Sequence, residues 1–104
     1  MTKDRHIYGK IGSETGMRRV FLDIRQDVEN AESRSALTEL YKRAGYLITL
    51  TYAPSWEEKF GRDEAAALRA VGEEEFGKTA KEINDRAAEI GTQADYDEKW
   101  GRGR

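Results

Sequence analysis

The stretch Tyr46–Tyr52, Tyr-Leu-Ile-Thr-Leu-Thr-Tyr, constrains this chain more than any other. Each member is aromatic, β-branched or leucine, a composition that suits a pleated, half-buried surface. Gly45 precedes it and fits the left-handed position that stops a helix, and the only proline, Pro54, follows it. Tyr46, Ile48, Leu50 and Tyr52 fall on one face at period two, with Leu47, Thr49 and Thr51 on the other. Apolar residues on both faces place such a strand inside a sheet. The same residues admit a second reading. Leu37, Leu40, Ala44, Leu47 and Ile48 also fit one continuous helix, in which Gly45 costs about 1 kcal/mol relative to alanine.

At 104 residues the chain has room for one domain over residues 1–104, with residues 92–104 expected to form a partly ordered tail. Hydrophobic residues make up 38% and charged residues 37%, but 18 basic side chains nearly balance 20 acidic ones. A net charge of -2 with 10% aromatics favours folding over disorder, and gives a mildly acidic protein with a heavily charged surface. The absence of cysteine excludes disulfides, thiolate chemistry and cysteine-ligated metal, and fits a cytoplasmic protein. The N-terminal residues do not read as a secretory signal, and no apolar run approaches the ~20 residues of a membrane span. Residues 1–52 carry 9 basic and 7 acidic groups and residues 53–104 carry 9 and 13, a mild dipole that can set a basic face beside an acidic one.

In chain order, His6–Ile11 and Met17–Gln26 flank the turn-rich Gly12–Gly16 and predict a β-hairpin. Val20, Leu22 and Ile24 then share the core face and Phe21 the other. Against this, Phe21, Ile24, Val28 and Ala31 recur at helical spacing. Residues from about Asn30 to Ala44 are expected to be helical, with the strand after them. Ser55 and Glu58 have the spacing of a capping box opening a short helix that ends near Gly61. Asp63 is placed to cap a further helix reaching about Ile90, striped by Leu68, Gly72, Phe76, Ala80, Ile83, Ala87 and Ile90. Gly72 and Gly77 allow that helix to break in two. The expected fold is α+β: a small, mostly antiparallel sheet in the order β-β-α-β, then two or three C-terminal helices. The alternative is mostly α, with residues 30–53 in one long helix.

No motif announces a reaction. Gly9–Gly16 lacks the spacing of a phosphate-binding loop. His6 has no partner beyond its sequence neighbour Asp4, and Asp95, Asp97 and Glu98 are too few and wrongly spaced for a calcium loop. No cofactor and no metal are expected. The surface supplies the candidates. Glu73, Glu74 and Glu75 form a solvated acidic helix face that can also imitate nucleic-acid phosphates. Trp56, Phe60, Tyr96 and Trp100 are aromatics available to a protein interface. Arg18, Arg19, Phe21 and Arg25 on the expected hairpin are placed to meet phosphates and stack on a base, with the basic tail Arg102 and Arg104 behind them.

Three functions are therefore carried forward. The first is a non-catalytic, intracellular protein-binding module, a regulator or inhibitor of the kind found in phages and mobile elements, with a homodimer expected from open sheet edges. The second is a nucleic-acid binder using the hairpin and tail, which a pI near 5.5 disfavours. The third is a carboxylate-based enzyme, which requires a deep pocket holding a carboxyl of raised pKa.

Overall fold

The computed structural model describes the backbone of residues 2–96 and the side chains of residues 7–91. It contains five helices: α1 (Thr2–Ile11), α2 (Glu14–Asn30), α3 (Arg34–Thr51), α4 (Pro54–Phe60) and α5 (Arg62–Tyr96). Among the described residues there is no strand, so the expected sheet and the α+β class are both overturned. Both halves of the expected hairpin are helical, and Tyr46–Thr51 completes α3, with Tyr52 as its C-cap.

The physical reason is visible on each helix. In α2 the buried residues are Met17, Phe21, Ile24 and Val28, steps of four, three and four that line one helical face. The period-two face Val20, Leu22 and Ile24 is split instead, with Leu22 left exposed. In α3 the buried set is Leu37, Leu40, Ala44, Leu47, Leu50 and Thr51. That long helical stripe outweighs the local strand preference of residues 46–52. The threonines adapt to it: Thr49 Oγ1 donates to the Gly45 carbonyl at 3.0 Å and Thr51 Oγ1 to the Ile48 carbonyl at 2.7 Å. Pro54 then ends the run by forcing Ala53 into extended backbone, φ -73° and ψ 145°.

Two serines start helices. Ser13 Oγ accepts from Gly16 N at 3.0 Å, and Ser33 Oγ from Ala36 N at 3.1 Å. The expected capping box at Ser55 does not form. Ala53 occupies the cap position, Pro54 opens the helix, and Ser55 Oγ shares a 2.6 Å hydrogen bond with the Tyr8 hydroxyl. Gly61, at φ 83°, makes the turn from α4 into α5 in backbone that other residues resist.

α5 is one unbroken helix of 35 residues, roughly 52 Å by its axial rise. It is the spine of a molecule 62 × 25 × 18 Å. α2 runs parallel to it, since Arg18 meets Glu75 and Ala31 meets Arg86. α3 runs back antiparallel, with Thr51 meeting Arg69 and Tyr41 packing on Phe76. α1 and α4 close one end of this three-helix bundle through Tyr8, Trp56 and Phe60. No helix among the described residues is long and apolar enough to cross a membrane.

Continuity of α3 and α5 has a direct test. A Cβ on Gly45 or on Gly77 would meet nothing within 4 Å. Gly45→Ala and Gly77→Ala should therefore each raise stability in urea denaturation by about 0.5–1 kcal/mol. A left-handed Gly45 ahead of a strand would instead make the first substitution destabilising.

Candidate functional site

The expected site residues separate once the chain is folded. Trp56 is fully buried, its Nε1 donating to the Ala65 carbonyl at 3.1 Å, so it is core rather than a surface anchor. Phe60 is half-buried against Trp56, ring centroids 4.5 Å apart. Phe21 is buried within α2 and presents no face to a base. Tyr96 is the last residue of α5, but its side chain, like that of His6, lies outside the described region. Trp100, Arg102 and Arg104 also lie outside it, as do the side chains of the tail carboxylates Asp95, Asp97 and Glu98.

The acidic run is not one face. Successive helical residues turn by about 100°, and each glutamate has a different fate. Glu73 accepts a hydrogen bond from the Tyr52 hydroxyl, which pushes that phenol above its ordinary pKa. Glu74 stays exposed between Arg18 at 3.2 Å and Lys78 at 3.4 Å, and these cations, Arg18 first, hold its carboxyl below the usual range. Glu75 is only 2% exposed. Its Oε2 lies 2.6 Å from Arg18 Nη1 and its Oε1 lies 2.8 Å from Arg25 Nη1. Arg25 Nη1 also reaches Thr79 Oγ1 at 3.3 Å, and Arg25 Nε lies 3.5 Å from Glu82. Burial pushes the Glu75 carboxyl up, but the hydrogen bonds from Arg25 and Arg18 outweigh it, and the net displacement is downward. Both displaced carboxyls thus move away from the raised value a general acid requires.

This clamp joins the expected acidic cluster to the expected basic one. Glu74 and Glu75 meet Arg18, and Glu75 also meets Arg25, so both arginines are spent inside the molecule. Arg19 remains, exposed and turned about 100° around α2 from Arg18.

Arg19 borders a groove of about 1230 Å³ between α1 and α3, floored by α2. Val20 supplies the floor over the buried Ile24, Ile7 and Lys10 one wall, and Arg43 and Tyr46, over the buried Leu47, the other. The lining is mostly apolar, with Lys10, Arg19 and Arg43 against Asp23 as its charged members. The groove exists because α1 folds back sharply from α2. At Gly16 the α1 backbone is so close that a Cβ would stand 2.0 Å from the Lys10 carbonyl oxygen. Apart from Arg19, sequence reasoning missed this surface. Its signal was the helical phase of Phe21, Ile24 and Val28, which leaves Val20 half-buried at the flank of the stripe.

Comparison with protein-family models, with curated proteins and with solved structures found no match. Among the described residues no cluster of histidine or carboxylate side chains is arranged to hold a metal ion.

The clamp generates a pH prediction. The folded pKa of Glu75 lies below its ordinary value of 4.5, so its contribution is complete above that pH and is lost as pH falls through the folded value. Acid titration of stability should therefore show a loss beginning below pH 4.5. Glu75→Gln should cost about 2 kcal/mol at neutral pH and flatten that acid limb, as read by urea denaturation at stepped pH.

Proposed function

We propose that this chain is a non-catalytic protein-binding module that meets its partner through the groove between α1 and α3. One observation carries the reading: an apolar trough of about 1230 Å³ lies open along α2, walled by separate helices. Binding sites are characteristically concave and mostly apolar with a few polar groups, and this groove is both. The alternatives have less behind them. The arginine-bearing hairpin assigned to nucleic acid is helical, with Phe21 buried and Arg18 and Arg25 turned to Glu75. An acid–base enzyme is served by neither of the carboxyls that shift.

A photocrosslinking amino acid at Val20, introduced in the native host, tests the assignment. The expected product is a discrete adduct with another protein, absent when the same group replaces the exposed Lys81 on α5. Adducts of equal yield at both positions, or adducts with nucleic acid, would contradict it. An adduct with a second copy of the chain would assign the groove to self-association instead.

A further inference from the structure

We infer that the occupant of this groove is an amphipathic helix of a partner protein with carboxylates along both edges of its apolar stripe; this rests on the protein-binding reading of the same groove. The charge argument comes first. The chain as a whole carries -2, yet the groove lining holds three cations and one carboxylate. Arg43 is partly satisfied by Asp27 at 3.2 Å. Lys10 and Arg19 have no ion-pair partner among the described residues, a state they share with Arg34, Lys59, Arg62 and Arg69 elsewhere on the molecule, but they stand together at one apolar groove. Asp23 has no ion-pair partner among the described residues either, so the unpaired charge of the lining is two cations against one carboxylate, opposite in sign to the net charge of the molecule. Lys10 stands on the α1 wall and Arg43 on the α3 wall, so both edges of an occupant meet a cation.

Geometry selects a helix. The floor runs along α2 from Gly16 to Ile24, about 12 Å, the length of roughly two helical turns. Apolar side chains one turn apart on such a helix would rest on Val20, Ile7 and Tyr46, the apolar members of the lining that stay accessible. An extended segment would lay unpaired backbone groups on this apolar floor, and the described residues offer no sheet edge to satisfy them. A helix satisfies its own. The described residues offer no stripe of their own for a second copy to insert. Their large exposed apolar side chains are Leu22, Tyr41, Tyr46 and Tyr52. Tyr41 packs on Phe76, Tyr52 on Arg69, and Tyr46 lines the groove itself. Nucleic acid would need more cation and less apolar floor.

The test is a displayed library of helical peptides of about 14 residues with a fixed apolar stripe, its flanks randomised over Glu, Gln, Ala and Lys. It is selected against the intact protein and against the double variant Lys10→Glu/Arg19→Glu, in which both altered side chains are exposed. Glu should be enriched on both flanks, each carboxylate strengthening binding by about twofold to fivefold. The double variant should shift the preference to Lys. Groove variants Val20→Arg and Ile7→Ser, each checked for cooperative unfolding, should release the selected peptides. Peptides released by both groove variants but without acidic flanks would overturn the acidic occupant and leave the groove reading standing. Peptides indifferent to the groove variants, or no enrichment at all, would overturn both. Displacement of the peptides by a mixed-sequence oligonucleotide at low salt would also overturn the helix as occupant.

Discussion

The arrangement of this protein depends on a buried carboxylate. Glu75 lies inside the bundle, and an ionised carboxyl survives there only with near and well-directed cations. Arg18 and Arg25, two turns apart on α2, supply them at 2.6 Å and 2.8 Å. Because the two arginines bracket one residue of α5, they fix both the direction and the register of α2 on that helix. Arg86 extends the same register: its Nε and Nη2 donate to the Ala31 carbonyl at 3.0 Å and 2.7 Å, capping the end of α2. Apolar stripes alone tolerate sliding; this polar row does not.

With α2 and α5 parallel, the connection between them must return along the bundle, and α3 does so. α1 then has no place in the three-helix core. It is held at one end, by the tight corner at Gly16 and by Tyr8 on Trp56 and Ser55, and stands apart from α3 along its length. The groove is therefore a consequence of helix order. Its basic lining has the same origin: the cations of α2 that face α5 are neutralised, and Arg19, turned about 100° around the helix from Arg18, is not.

Much of the helical structure after the first two helices was legible in the residues. The short helix ending at Gly61 and the apolar stripe from Leu68 to Ile90 follow from spacing that permits no strand reading. Residues 17–26 and 46–52 misled because two periods fit each of them. Short runs of Val, Ile, Thr and Tyr satisfy a period of two as readily as 3.6, and only the longer window, Met17 to Val28 or Leu37 to Thr51, separates them. The glutamate run and the arginines were recognised as the charged features, but their mutual contacts span 50 and 57 positions and have no local signature. The groove has no local signature either, since its walls come from α1 and α3, which are far apart in sequence.

The most direct test of this account is a double-mutant cycle between Arg25 and Glu75, each replaced by methionine, alone and together, with stability read from urea denaturation at neutral pH. The account predicts strong coupling, above about 1.5 kcal/mol, with the double variant more stable than either single one because no unpaired charge is then left buried. Additive losses, with a coupling energy near zero, would show that α2 and α5 are aligned without the clamp and would contradict it.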